Sequence, residues 1–204
     1  MTTPAPALTP RETLDELEAL LLAGPARLGT ARLAAIDGPA GSGKTSLARD
    51  LSERVRSRGL SVEVFHLDEA LDGWAGLEAG VGQLLEKVLA PYAEGRAGSY
   101  RRYDWVAKGW AEEVEVPRAE VLVVEGCGCG PRAAAAWTNL LVWVETDAET
   151  RLSRGLERDG EELRAEWLRW MELERSVFER EGTRERADLR LDGKGRILPP
   201  SSAS

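Results

Sequence analysis

A glycine-rich segment near the start of the chain carries the residue types most clearly suited to chemistry. Residues 38–45 read GPAGSGKT and fit G-x-x-x-x-G-K-[ST], the pattern of a phosphate-binding P-loop. Glycines allow the backbone to turn tightly and bring its N–H groups up to phosphate oxygens. Lys44 can reach the β- and γ-phosphates of a nucleotide, and the Thr45 hydroxyl can ligate Mg²⁺. The residues expected to bind the nucleotide in this segment are Gly38, Gly41, Ser42, Gly43, Lys44, Thr45 and Ser46.

Acidic side chains close two of the strands that the sequence predicts. Glu125 ends the apolar run VLVVE and precedes Gly126, a position where an acid can hold Mg²⁺ beside a P-loop. Asp68 follows a predicted strand at residues 61–67, where its carboxylate could take a proton from an attacking hydroxyl. The residues leave a second interpretation open for each acid. Glu125 could be a solvated strand end, and Asp68 could cap the following turn.

Three arginines, Arg151, Arg154 and Arg158, are spaced i, i+3 and i+7, so they share one face of a predicted helix. Arginines grouped in this way can stabilise the negative charge on a transferred phosphoryl group. Because Glu149 and Glu157 lie in the same segment, a solvated charged helix is the alternative interpretation.

An aromatic segment at residues 100–105, YRRYDW, offers rings that could stack on a nucleobase or a sugar. The same rings could instead form the packed interior of a lid. The segment lies within residues 92–117, a long and weakly patterned stretch that is predicted to be a functional loop. His66 is the single histidine, and a structural role is favoured for it.

The elements that must position these residues alternate between strands and helices. Apolar runs predict five strands, at residues 33–36, 61–67, 119–125, 140–145 and 187–191. Helical periodicity predicts helices at residues 9–24, 45–58, 81–91, 147–158 and 161–181. This order predicts an α/β protein with the three-layer P-loop NTPase fold: a mainly parallel five-stranded sheet, helices on both faces and a short lid at about 146–165. Ligands in such sheets bind at the carboxyl ends of the strands.

The chain has 204 residues, enough for a single domain, which we place at residues 9–193. A disordered tail is expected at residues 1–8 and a C-terminal tail at 194–204, and a capping box at Thr9–Glu12 is expected to start the first helix. The net charge of −8 argues against nucleic-acid and acidic-membrane binding.

The cysteine pattern and the hydropathy of the chain bear on its location. Cys127 and Cys129 are the only cysteines, too close together for an ordinary disulfide and too few for a metal site. No apolar run reaches the length of a membrane span, and the first residues lack the pattern of a signal peptide. We therefore expect a cytoplasmic protein with no membrane partner.

With these residues placed, the chain resembles the uridine kinase branch of the P-loop kinases. The matching stretches are DGPAGSGKTSLA at 37–48, HLDEAL at 66–71, RRYDW at 101–105, TDAETRLSRGLERD at 146–159 and ADLRLDG at 187–193. The resemblance implies an enzyme that uses ATP and Mg²⁺ to phosphorylate a hydroxyl of a small-molecule acceptor, in the family a nucleoside.

The resemblance also implies roles for particular residues. Asp68 would be the general base and a neighbour of the metal, and Glu125 would complete the metal site with Thr45. Arg158 would reach the phosphates from the lid, assisted by Arg154. The acceptor would be bound by the YD-aromatic motif, Tyr103, Asp104 and Trp105.

The chain departs from the family pattern at Leu71, Lys108 and Gly155, which stand where the family tends to have an aromatic residue, a histidine and a second lid arginine. The acceptor-binding segment of the family is not recognisable in residues 72–90, where a glycine-rich loop is predicted at 72–80. Two alternatives therefore stay open: an ATP-binding regulatory or switch protein without kinase activity, and a kinase for a nucleoside monophosphate, a sugar or a vitamin. The absence of an Asn-Lys pair favours ATP over GTP.

Overall fold

The structure is a computed structural model, and it describes residues 9–199. The tail predicted at residues 1–8, and residues 200–204 of the predicted C-terminal tail, lie outside the described residues.

Seven strands form two sheets. They are β1 (Arg32–Asp37), β2 (Val62–His66), β3 (Gly98–Asp104), β4 (Gly109–Val116), β5 (Val121–Glu125), β6 (Thr138–Glu145) and β7 (Leu189–Asp192). The larger sheet has the order β2-β5-β1-β6-β7, and every pairing in it is parallel. Strands β3 and β4 pair with each other as an antiparallel hairpin.

The register of the parallel sheet brings the ends of its strands to one edge. Glu125 pairs with His66 on one side and with Ile36 on the other, and Asp37 ends β1 one residue later. The carboxyl ends of β1, β2 and β5 therefore meet, as ligand binding in such sheets requires.

The helices of the fold are α1 (Arg11–Leu22), α2 (Lys44–Arg56), α3 (Leu77–Gln83), α4 (Ala90–Ala93), α5 (Ala148–Asp159), α6 (Arg164–Glu181) and α7 (Thr183–Arg186). A π-helical segment, Leu84–Leu89, joins α3 to α4. No described helix is long and apolar enough to cross a membrane.

The central strands β1, β5 and β6 are buried on both faces because alternate side chains enter two separate cores. On one face α1 and α2 pack on the sheet through the apolar residues Leu17, Leu21, Leu47, Leu51, Ala34, Ile36 and Val123. On the other face α3, the π-helical segment, α6 and the hairpin pack on the sheet through Leu77, Val88, Trp170, Tyr100, Ala35 and Leu122. The predicted three-layer α/β fold with a five-stranded parallel sheet is confirmed.

Other predicted elements differ from the structure. The stretch at 92–117, predicted to be a loop, contains the hairpin β3–β4, and α3 begins inside the predicted glycine-rich loop at 72–80. The predicted capping box is absent at α1. Thr9 instead donates from its backbone N–H and its hydroxyl to Oδ2 of Asp50 on α2, at 2.8 and 2.7 Å. The Thr9 hydroxyl therefore ties the start of α1 to α2 and does not cap α1.

Candidate functional site

The glycine-rich segment forms the connection between β1 and α2, and α2 begins at Lys44. Gly38, Gly41 and Gly43 all have positive φ angles, 141°, 76° and 110°. A Cβ atom on Gly38 would lie 2.1 Å from the backbone oxygen of Val144, so no other residue fits there. The loop thus has the tight backbone and the helix N-terminus that phosphate binding needs.

The serines of this segment differ in burial. Ser42 is fully buried, and its hydroxyl has no hydrogen-bond partner among the described residues. Ser46 is half-buried in the first turn of α2. The backbone oxygen of Ser42 accepts a hydrogen bond from the Thr146 hydroxyl at 3.2 Å, which fixes the loop to the end of β6.

Lys44 points back across the loop. Its Nζ donates to the backbone oxygen of Pro39 at 3.0 Å and lies 3.7 Å from Sγ of Cys127. Burial lowers the pKa of Lys44, but the negative charges around it, including Asp68 and Glu125, raise the pKa more. The pKa of Lys44 is raised overall, so its ammonium group stays charged and available to a phosphate.

Glu125 connects the P-loop to the second strand. Its Oε1 accepts a hydrogen bond from the Thr45 hydroxyl at 3.1 Å and lies 2.7 Å from Nδ1 of His66. Glu125 is buried, and its hydrogen bond is the first cause that raises the pKa of His66, ahead of the opposing effect of burial. His66 therefore holds the carboxylate in place from the side opposite Thr45.

The Thr45 hydroxyl and the Glu125 carboxylate form a pair of hard oxygen donors that suits Mg²⁺. The described residues contain no group of three or more His, Cys, Asp or Glu side chains arranged to hold a metal. Mg²⁺ in nucleotide sites takes one or two carboxylates and completes its coordination with phosphate oxygens and water, so the two protein donors are sufficient.

Asp68 lies in the short 3₁₀ turn Leu67–Ala70 that directly follows β2, and the residue is exposed to solvent. Its Oδ1 lies 3.5 Å from the position of a Cβ atom on Gly126, beside Glu125. Partial desolvation in the cleft raises the pKa of Asp68, and the charge of Glu125 adds to this, while Lys44 opposes it. The predicted base and the predicted metal ligand thus meet at the edge of the sheet.

The predicted arginines occupy two different places. Arg154 donates from Nη1 to the backbone oxygen of Gly41 at 3.1 Å, so it binds the P-loop itself. Arg158 makes two hydrogen bonds to Asp159, at 2.6 and 2.9 Å, and its guanidinium carbon lies 5.8 Å from the ring centre of Trp167. Arg158 is exposed, and its pKa is raised by the hydrogen bond to Asp159 and, to a smaller extent, by the charges of Asp159 and Asp68.

The aromatic segment lies against Asp68 through one of its members. The indole N–H of Trp105 donates to the backbone oxygen of Asp68 at 3.0 Å, and the ring of Tyr103 packs edge-on at 5.3 Å from that of Trp105. The carboxylate of Asp104 instead accepts hydrogen bonds from the N–H groups of Val106 and Ala107, at 2.9 and 2.8 Å, and shapes the hairpin turn. These bonds lower the pKa of Asp104. Tyr103 and Trp105 are near the predicted base, whereas the Asp104 carboxylate is engaged in the turn.

Asp37 has a role that the sequence does not reveal. It is fully buried, and its carboxylate accepts hydrogen bonds from the N–H groups of Gly38, Gly128 and Gly130 at 2.7, 2.7 and 2.9 Å. Burial raises the pKa of Asp37 to about 6, although these three bonds oppose the shift. Asp37 therefore joins the first residue of the P-loop to the turn that follows β5.

Glu174 of α6 is the second residue that the sequence analysis missed. It accepts a hydrogen bond from the N–H of Ala40, inside the P-loop, at 2.8 Å. The signal is faint: Glu174 is the one acid among the buried residues of α6, which otherwise are Trp167, Trp170 and Val177 at helical spacing. A charged residue on a buried helix face requires a partner, but the sequence does not say which one.

Comparison with known protein families identifies one family whose model matches this chain. A family model described as an AAA domain matches residues 35–176, well over half of the chain, from the end of β1 into α6. No curated protein matches the chain at a significant level.

Three solved structures that match the chain are described as kinases. A protein described as a possible uridine kinase from Bacillus stearothermophilus has a TM-score of 0.67 and 21% identity, over 89% of this chain and 98% of that one. A protein assigned as a fructose transport system kinase from a Silicibacter species has a TM-score of 0.62 and 17% identity, over 83% and 94%. A D-glycerate 3-kinase from Cryptococcus neoformans has a TM-score of 0.56 and 15% identity, over 92% and 94%.

At these identities the structural likeness establishes the fold, and the family model establishes the membership. The glycine-rich loop between β1 and α2 lies inside the matched residues. The chain belongs to the AAA domain family of P-loop proteins.

Proposed function

We propose that this protein is a kinase that transfers the γ-phosphoryl group of ATP to a hydroxyl of a small-molecule acceptor. One observation carries the proposal: the carboxylate of Asp68, a residue exposed to solvent, lies at the same edge of the sheet as Lys44 and the Thr45–Glu125 pair. A protein that only binds a nucleotide needs the lysine and the metal ligands, whereas a kinase also needs a group beside them that can take the proton of the acceptor hydroxyl.

In the proposed mechanism, the phosphates of ATP lie against the N–H groups of the P-loop and the ammonium of Lys44. Mg²⁺ would be held by Thr45 and Glu125 and would neutralise charge on the phosphates. Asp68 takes the proton from the acceptor hydroxyl as that oxygen forms a bond to the γ-phosphorus, while the bond between this phosphorus and the β–γ bridging oxygen breaks and ADP leaves. Arg158 moves from Asp159 toward the transferred group and stabilises its charge. The raised pKa of Asp68 suits it to accept a proton.

The acceptor is proposed to lie between the hairpin and the end of β2, with its planar part against Tyr103 and Trp105. A nucleoside fits this description, as the resemblance to uridine kinases implies. A nucleoside monophosphate, a sugar or a vitamin are alternatives within the same chemistry. The two cysteines are buried and unpaired, which suits a reducing compartment, and we propose a cytoplasmic location.

A second function has its own support. Because Asp104 is engaged in the hairpin turn and Arg158 is paired with Asp159, neither side chain is positioned on the predicted acceptor or phosphate. An ATP-binding regulatory or switch protein would need only the P-loop, Thr45 and Glu125.

A screen of acceptors separates the two functions. The purified protein is incubated with ATP and Mg²⁺ and a panel of nucleosides, nucleotides, sugars and vitamins, and ADP release is measured. The kinase proposal expects one acceptor class to stimulate ADP release well above the rate without acceptor. Tight ATP binding with no stimulation by any acceptor would favour the switch function.

A further inference from the structure

A buried ion pair lies behind the P-loop, between α5 and α6. Nη1 of Arg151 is 2.7 Å from Oε1 of Glu174, and the two residues are 8% and 1% exposed. Arg151 also donates from Nε to the backbone oxygen of Thr146 at 3.1 Å. The pair is therefore buried and bonded to the backbone, and it is not a surface contact that solvent would screen.

Both members of the pair bind the same P-loop residue. Oε2 of Glu174 accepts from the N–H of Ala40 at 2.8 Å, and Nη1 of Arg151 donates to the backbone oxygen of Ala40 at 3.2 Å. The peptide groups before and after Ala40 are thus each held by one side chain of the pair. The neighbouring carbonyls are held in the same manner, Pro39 by Lys44 and Gly41 by Arg154.

These bonds determine which atoms the loop can offer to a phosphate. A phosphate site needs N–H groups directed at the anion, and a carbonyl oxygen turned toward it would repel the negative charge. Glycines make the loop flexible enough to turn either way. By holding the Ala40 carbonyl on the side of α5, Arg151 prevents this peptide from rotating into the phosphate position.

A stability role alone does not explain why the pair is ionic. Taking two charges out of water offsets most of their attraction, so replacing a buried ion pair with apolar residues of similar volume is often neutral or stabilising. Apolar residues at these two positions could fill the same space, but they could not hold the N–H and the carbonyl of Ala40.

We propose that Arg151 and Glu174 are positioning residues that hold the P-loop in its phosphate-binding conformation. The inference rests on the proposed nucleotide site and adds to it two residues outside the P-loop motif. Neither residue touches the nucleotide in this account; they act through the backbone of Ala40.

The test compares a double variant, Arg151→Met with Glu174→Leu, with the wild-type protein. Because the pair is removed whole, no buried charge is left unpaired. The N–H and carbonyl of Ala40 and the carbonyl of Thr146 lose a hydrogen bond, so we expect a folded protein with a moderately lower melting temperature. Calorimetry with MgADP should show a dissociation constant raised by about 10-fold or more, since two hydrogen bonds that orient the loop are lost. A folded double variant with wild-type affinity for MgADP would overturn the proposal.

A matched control removes another ion pair far from the loop. Glu18 of α1 pairs with Arg54 near the end of α2, at 2.6 Å, and Glu18 is 6% exposed. The double variant Glu18→Leu with Arg54→Met should bind MgADP as the wild type does. An equal loss of affinity in this control would show that any weakened ion pair has the effect, which would overturn the positioning role.

A second variant keeps the test decisive if the first does not fold. Arg151→Met with Glu174→Gln is neutral but retains an oxygen that can accept from the Ala40 N–H. We expect its dissociation constant for MgADP to be raised above that of the wild type, by less than about 10-fold because the Ala40 N–H keeps an acceptor. Wild-type affinity in this variant would contradict the proposal. If the wild-type protein itself does not bind MgADP, the proposed nucleotide site fails. Binding by the wild type with unchanged variants refutes only the positioning role.

Discussion

Three buried carboxylates surround the P-loop, and each is bound by a different kind of donor. Asp37 accepts from backbone N–H groups, Glu125 from the Thr45 hydroxyl, and Glu174 from Arg151 and the Ala40 N–H. Acids buried beside an anion site would repel the ligand if they were unpaired. Their bonds, together with the charge of Lys44, allow negative groups to shape a site that binds a negative ligand.

Arg158 is the residue for which ground-state and transition-state roles can be separated. In this structure it binds Asp159, so it has to be released before it can reach a phosphoryl group. If it acts on the transition state, Arg158→Ala should lower kcat by on the order of 10²-fold, with a smaller change in the KM for ATP. Steady-state kinetics with an identified acceptor checks this. A wild-type kcat would return Arg158 to the role of a solvated helix residue.

Asp37 makes a specific contribution to the pH dependence of stability. Its pKa is raised from 3.8 to about 6 in the folded protein, so the folded state holds the proton more tightly than the unfolded chain. The stability that this adds is complete below pH 3.8 and is lost as the pH rises through about 6. Between pH 4 and pH 7, the wild type should therefore lose on the order of 2–3 kcal/mol of unfolding free energy relative to Asp37→Asn.

Urea unfolding of both proteins at pH 4 to 7 measures this difference. The asparagine variant is the reference because it does not titrate, so only the change of the difference with pH is used. Its absolute stability should be lower, since its amide N–H₂ faces backbone donors that the carboxylate accepted. A difference that does not change with pH would contradict the raised pKa of Asp37.

At the scale of elements, the contact between α5 and α6 explains a departure from the uridine kinase pattern. Gly155 stands where that family tends to have an arginine, and a Cβ atom there would lie 2.3 Å from the ring of Trp167. The indole occupies the space of the missing side chain, and its N–H donates to Asp159 at 3.1 Å, the acid that binds Arg158. The glycine thus permits a close helix contact that positions the predicted lid arginine.

Substitution of Gly155 by alanine should therefore destabilise the protein. Overpacking against a buried indole costs about 1–3 kcal/mol, which exceeds the gain of up to about 1 kcal/mol from replacing glycine inside a helix. Gly82→Ala in α3 is the matched control, because nothing lies within 4 Å of its Cβ position, and it should stabilise. Urea midpoints of the two variants check this, and a stabilised Gly155→Ala would show that Trp167 moves aside without cost.

The sequence predicts the elements of the parallel sheet well because their physical signal is strong. Runs such as VLVVE are buried on both faces and are flanked by glycine or charged residues. The hairpin was missed because its strands are half-exposed and carry Arg101, Arg102 and Glu112 among their aromatic residues, so no apolar alternation marks them. The hairpin is held in place by contacts between residues far apart in the chain: Tyr100 donates a hydrogen bond to Glu69, and Trp105 donates one to the backbone oxygen of Asp68.

The same difference between local sequence signals and long-range contacts applies to the residues of the site. Lys44, Thr45, Asp68 and Glu125 could be predicted because a local motif or a strand end marks each of them. Glu174 could not, because its partner Ala40 is far away in the chain and no local pattern specifies a contact of that length. The order of the strands, which brings Asp68 beside Glu125, also depends on packing and not on local sequence.

At the scale of the whole molecule, the P-loop is joined to both cores: β1 contributes residues to both, α2 packs in one and α6 in the other. A ligand that binds the loop should therefore stabilise the entire fold and not one segment of it. At 100 times its dissociation constant, MgADP should add about 2.7 kcal/mol, which raises the melting temperature of a protein of this size by roughly 5–10 °C. Thermal melting with and without MgADP measures this. Lys44→Ala is the control, and an equal shift in that variant would place the nucleotide elsewhere.

The central claim is that Asp68 is the base of a kinase and not a structural acid beside a nucleotide site. The decisive measurement is Asp68→Asn, in which MgATP affinity and transfer to an identified acceptor are determined in parallel. We expect ATP affinity near that of the wild type, because Lys44, Thr45 and the loop N–H groups remain. Phosphoryl transfer should fall by about 10²–10⁴-fold, the usual contribution of a general base. A variant that binds ATP and transfers phosphate at the wild-type rate would contradict the account, and loss of both activities together would assign Asp68 to the metal site or to the fold.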